Sequence, residues 1–130
     1  MRSHVSRLSL ALSGLIMLAG ALMHAAAYGR TDAAVSASNL SSFFAGSLRA
    51  LWLIDSTALF TLGVVFAAVA ARPQLASRPV VILLAAIPAA TALLLYKFIG
   101  STFAPAHMLL AAALLGLLGA GVRADGRTRA

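Results

Sequence analysis

Four apolar stretches, each long enough to cross a bilayer as a helix, constrain this chain more than any other feature. They run from Leu8 to Ala27, Leu48 to Ala71, Val80 to Ile99 and Phe103 to Val122. A helix rises 1.5 Å per residue, so about 20 apolar residues cross the roughly 30 Å hydrocarbon layer. The composition leaves little alternative. Of the 130 residues, 62% are apolar and 10% charged, against about 25% charged in an ordinary soluble domain. A domain this small buries only about 60–70% of the surface its unfolded chain exposes, so the apolar excess must face lipid. A soluble enzyme, a nucleic-acid-binding domain and a disulfide-stapled scaffold are excluded. The expected fold is all-α: an integral-membrane antiparallel four-helix bundle with short loops, one domain over residues 1–130, spans at 8–27, 48–71, 80–99 and 103–122.

Punctuation between the stretches supports that division. Two prolines and two arginines in Arg72-Pro-Gln-Leu-Ala-Ser-Arg-Pro79 force a short polar turn after the second span. Gly100, Ser101, Thr102 and Pro105 make a tight return after the third, so spans three and four form a hairpin. Pro88 interrupts the third span, frees the Leu84 carbonyl and predicts a kink. The single long connection runs from Tyr28 to Ser47. Its first part, Gly29 to Ser38, is small and polar and predicts little fixed structure. Asn39 or Ser41 then offers a cap for a short interfacial segment carrying Leu40, Phe43 and Phe44.

The net charge of +7 would suggest nucleic acid in a soluble protein. Here the basic residues sit in short clusters between apolar runs, which is how topology is written. Arg2, Arg7, Arg72, Arg78, Arg123, Arg127 and Arg129 fall on one side of a four-span layout, and Arg30, Arg49 and Lys97 on the other. The bias predicts both termini in the cytoplasm. Abundant Ala and Arg with a single Lys suit a GC-rich bacterial genome, hence a bacterial inner membrane. The first span also reads as a signal peptide, with Arg2 and Arg7 before the apolar run and Ala25-Ala26-Ala27 before Tyr28. Its run of about 20 residues exceeds a signal's 7–15, so retention is the expectation. Cleavage would leave a three-helix protein.

Polar residues inside the spans carry the functional information, because each needs a partner in lipid. The chain has no Glu, and Asp55 is the one acid within a span, Asp32 and Asp125 lying outside. It reads as a structural pair with Arg49 or a Ser/Thr hydrogen bond, or as a proton or cation site. His24 and His107 fall at nearly the same depth, on the non-cytoplasmic side. Tyr28, Trp52, Tyr96 and Lys97 share that layer. The two histidines would ligate a haem or a metal only if their rings meet; otherwise each bonds water or a carbonyl at the interface. The aromatic residues also fit an interfacial belt. No cofactor is called for by any motif.

Small residues predict how the helices meet. Ser13, Met17, Gly20 and His24 share a face of span one, and Arg49, Trp52, Ser56 and Gly63 a face of span two. Ala112, Gly116 and Gly119 line span four. Such stripes let backbones approach closely, replacing the hydrophobic drive that lipid removes.

Phosphate loops, HExxH, paired carboxylates and an ordered Ser/His/Asp set are all absent. The layout resembles small four-helix inner-membrane proteins in general, DoxX-like ones among them, but no motif carries functional residues over from any of them. The small multidrug exporters, similar in size and span number, depend on a first-span glutamate that this chain lacks. Two functions remain: a non-catalytic subunit or assembly partner contacting lipid and other membrane proteins or itself, which is the preferred reading, or a small transporter or ligand-binding bundle using the polar layer.

Overall fold

The computed structural model describes residues 2–122; Arg123, Asp125, Arg127 and Arg129 lie outside the described residues. It is all-helical: α1 Arg2–Ala26, α2 Tyr28–Ser36, α3 Ser42–Ala71, α4 Arg78–Phe98 and α5 Ala104–Gly121, with a single 3-10 turn at Pro73–Leu75. Among the described residues, four helices are long and apolar enough to cross a membrane, the first continuing through a turn at Ala27 into α2.

The boundaries follow local chemistry. Pro79 and Pro105 sit in the first turns of α4 and α5, where the missing N–H costs nothing and the fixed φ fits. Gly100 has φ +115°, a conformation that L side chains rarely adopt, so glycine is needed to close the α4–α5 hairpin. Ser41 stands at the N-cap of α3 with extended backbone but makes no side-chain cap hydrogen bond. α3 is one continuous helix starting six residues before the expected span. Phe43 and Phe44 are on its first turn, both exposed, so they do not form a separate segment. α4 runs unbroken through Pro88, which is buried.

The expectation of little structure in Gly29 to Ser38 was wrong, because α2 is a helix. Its own sequence lacks an apolar face, and Val35 is its one buried residue. The order comes from α3. Arg49 Nε donates to Asp32 Oδ1 at 2.5 Å and Nη2 donates to Ser36 Oγ at 2.8 Å. Asp32 and Ser36 are one turn apart, so a single guanidinium grips one face of α2.

The long helices are antiparallel to their neighbours. Ser6 meets Gly119 and Ser13 meets Ala112, which runs α1 against α5. Gly14 lies at Gly63 and Ala67 while His24 reaches Trp52, which does the same for α1 and α3. Ala85 lies at Gly116 and Tyr96 against His107, so α4 and α5 also oppose. α1 is central, packed on both α3 and α5, and α4 packs on α5. Two clusters fill the interior. Leu10, Phe66, Val69, Val81, Ala85 and Ala120 occupy the end near the α3–α4 turn. Met17, Ala21, Leu59, Leu62, Ala92 and Leu109 occupy the other half.

Two buried hydroxyls stitch α1 to α5: Ser6 Oγ donates to the Gly119 carbonyl and Ser13 Oγ to the Ala112 carbonyl, each at 2.7 Å. In hydrocarbon such bonds satisfy groups that have no water. Ser13, Gly63, Gly116 and Gly119 therefore stand where the small-residue stripes place them. A Cβ on Gly119 would come 2.7 Å from Leu10 Cγ, and one on Gly116 3.1 Å from Ala85 Cβ. Gly20 does not belong with them. A Cβ there meets nothing within 4 Å. The glycine at the α1–α3 contact is Gly14, where a Cβ would stand 2.9 Å from the Ala67 nitrogen and the Gly63 oxygen. Gly14 lies on the flank of the stripe that faces α3, while Gly20 stands within the stripe where no neighbour comes close.

Candidate functional site

The polar residues expected in one layer form two groups at different heights: the register of Ser6 with Gly119 and Ser13 with Ala112 sets His107 opposite Leu18 of α1, short of His24 by more than a turn. The first joins α1 to α3. The His24 ring stacks on the Trp52 indole with centroids 4.0 Å apart and planes 13° from parallel. Trp52 Nε1–H donates to the His24 carbonyl at 2.8 Å. His24 Nδ1 lies 2.8 Å from Ser56 Oγ, and His24 Nε2 lies 3.5 Å from Asp55 Oδ2. These contacts need a helical spacing on each side: Trp52, Asp55 and Ser56 occupy adjacent positions over one turn of α3, and His24 stands in the last turn of α1.

The donors can be assigned by counting hydrogens. Ser56 Oγ has one hydrogen and donates it to the Trp52 carbonyl at 3.0 Å, the back-bond common for serine in helices. A carbonyl cannot return a hydrogen, so Ser56 Oγ accepts from His24 and Nδ1 carries the N–H. Nε2 is the ring atom left to face Asp55. The Asp55 side chain is 47% exposed and that of His24 25%, so the pair sits at the rim of the bundle, with Leu59 marking the start of the apolar interior one turn below.

The second group joins α4 to α5. Tyr96 and His107 meet edge to face at 5.4 Å between centroids. His107 Nδ1–H donates to the Phe103 carbonyl at 3.2 Å. Lys97 lies over Phe98, 5.3 Å from the ring centroid. Tyr28 begins α2 and makes no hydrogen bond to either group among the described residues. The two histidine rings thus have separate aromatic partners, Trp52 for His24 and Tyr96 for His107. Among the described residues no three His, Cys, Asp or Glu side chains gather closely enough to hold a metal ion.

Two assignments change. Arg49 is not the partner of Asp55; it is committed to Asp32 and Ser36 on α2. Ser56, expected only as a packing residue, is the acceptor that orients the His24 ring. Asp32 and Ser36 escaped notice because they lie in a polar segment, where only their one-turn spacing signals a shared partner. No family model, curated protein or solved structure matches this chain.

Proposed function

We propose that this protein is a multi-pass protein of a bacterial inner membrane, with both termini cytoplasmic, and that its working part is a ligand-binding cluster of His24, Trp52, Asp55 and Ser56 near the non-cytoplasmic face. The orientation rests on the seven-to-three distribution of basic residues between the two sides of the four-span layout. Reporter fusions after Arg78 and after Ser101 are expected to report opposite sides; the same side at both points overturns the orientation and the span count together.

The observation that carries the binding reading is the His24–Asp55 contact. A carboxylate within a membrane-spanning helix is costly to keep unless it is paired or protonated. A half-exposed pair 3.5 Å apart returns little of that as stability, about 0–1 kcal/mol. A group that contributes so little to the fold is accounted for by binding. The test is Asp55→Asn, which keeps shape and hydrogen-bonding capacity while removing the charge. Its melting temperature in micelles is expected within a few degrees of the parent's, about 1 kcal/mol or less. A collapse of the bundle in this variant would make Asp55 a structural pin and end the binding reading.

A second reading, the non-catalytic subunit or assembly partner, is favoured by the flank between α3 and α4. A groove of about 560 Å³ opens there, lined by Leu53, Ile54, Ala58, Leu62 and Ile87 with Thr57 and Thr61. Both threonine hydroxyls donate to carbonyls of their own helix, which leaves the wall apolar. The occupant on this reading is a transmembrane helix of another membrane protein. The chain has no cysteine, so Thr61→Cys gives a single cross-linking position. An adduct with a different membrane protein supports the reading, and a dimer of this chain or a bare monomer opposes it.

A further inference from the structure

We propose that the ligand of the His24–Asp55 cluster is a single proton, taken up from the aqueous side onto His24 Nε2, where it pairs the ring with Asp55 of α3. The assignment rests on the binding reading above and names what is bound.

Three contacts hold the ring in place before any proton arrives. The Trp52 stack sets its plane, the Nδ1–H bond to Ser56 sets its rotation, and the Trp52 Nε1–H bond to the His24 carbonyl ties the backbone to the same indole. Nδ1 keeps its hydrogen in either state because Ser56 offers only a lone pair. Nε2 is therefore the one ring atom that gains or loses a proton, and it points at Asp55 Oδ2. With the proton on, imidazolium and carboxylate neutralise each other, and the cation lies over an electron-rich indole face. With the proton off, a nitrogen lone pair confronts a carboxylate oxygen. That is repulsive, and the half-exposed Asp55 is free to swing away. The step balances without a co-reactant: water supplies the proton and takes it back.

The other charged groups near the cluster are occupied. Arg49 of α3 and Asp32 of α2 pair with each other. On α4 and α5, Tyr96 and His107 contact each other and Lys97 lies over Phe98. Arg30 and Tyr28 belong to α2, beyond the end of α1. Asp55 is the charged group in contact with the ring. Depth settles the kind of device. Below the cluster the interior is Met17, Ala21, Leu59 and Leu62, and the spans carry no titratable side chain from here to Arg7, Arg72 and Arg78 at the far end. The proton enters and leaves by the same side, so the site senses pH and does not conduct.

The chain supplies its own reporter, because Trp52 is the one tryptophan and an imidazolium stacked on indole quenches its emission. The intact protein in lipid nanodiscs is titrated from mildly acidic to mildly alkaline pH while Trp52 emission is read. Emission is expected to rise with pH in one single-proton transition and to lose that transition in His24→Gln. A flat titration in the parent or persistence in His24→Gln overturns the proposal. Should His24→Gln fail to fold, the ring nitrogen chemical shifts of the parent decide. An Nδ1–H tautomer above the transition supports the assignment, and an Nε2–H tautomer overturns it. A stable Asp55→Asn with a flat parent titration removes the proton and keeps the binding site. A collapsed Asp55→Asn removes the site itself.

Discussion

Replacing Gly14 by leucine is expected to cost about 3 kcal/mol of bundle stability, at the upper end of what overpacking inflicts. The atoms that a Cβ would meet, at 2.9 Å, are the Ala67 nitrogen and the Gly63 oxygen. Backbone atoms of a packed helix cannot step aside as a flexible side chain does, so α1 as a whole must move from α3. That displacement also pulls His24 off Trp52, ten residues along the same helix. Unfolding in mixed micelles measures the loss, and the near-ultraviolet signal of Trp52 follows the second effect. Gly20→Leu is the control: with nothing within 4 Å of its Cβ, it is expected to be close to neutral. Equal losses at both positions would mean that the α1–α3 contact runs along the other side of α1.

Phe66→Ala is expected to destabilise the bundle by about 2–3 kcal/mol, less than the 3–5 typical of a water-soluble core. The reduction has a physical cause. On the membrane reading proposed above, a phenylalanine on a dissociated helix stays in lipid, so the transfer part of the penalty disappears and the cavity part stays, at about 24 cal/mol per Å³. Phe66 is 1% exposed and lies where α3, α4 and α5 converge: a Cβ on Gly116 would be 3.2 Å from its ring and 3.1 Å from Ala85. Gly116→Ala should accordingly be costly in the parent and much less so in Phe66→Ala, where the methyl enters the vacated space. Additive losses in the double variant would mean that the ring does not fill this space.

Much of the architecture was legible because long-range polar contacts have little to do with it. Helix positions follow from apolar length, and the α4–α5 hairpin from Gly100 and Pro105, which act through backbone conformation alone. α2 was not legible. Its residues carry no periodic apolar face, and a guanidinium from α3 organises it. The candidate site was legible as a set of polar residues toward one end of the bundle and illegible in relative height and pairing. His24 reaches Asp55 and His107 does not, since α1 packs directly on α3, α5 turns its histidine toward α4, and the α1–α5 register sets His107 opposite Leu18. Arg49, close to Asp55 along α3, reaches the other way, to α2.

What the amino-acid order determined is the number of long apolar helices and the places where the chain turns. Each of those depends on the neighbours of a residue along the chain and on the free energy of moving its side chain between water and an apolar medium. The tertiary structure alone decided which helices touch, that Gly14 and not Gly20 meets α3, and that Nε2 of His24 faces Asp55. Those outcomes depend on where helix axes cross, and the crossing is set by close packing summed over many weak contacts. A spacing of three or four residues names a face of a helix, but the partner for that face comes only from assembly.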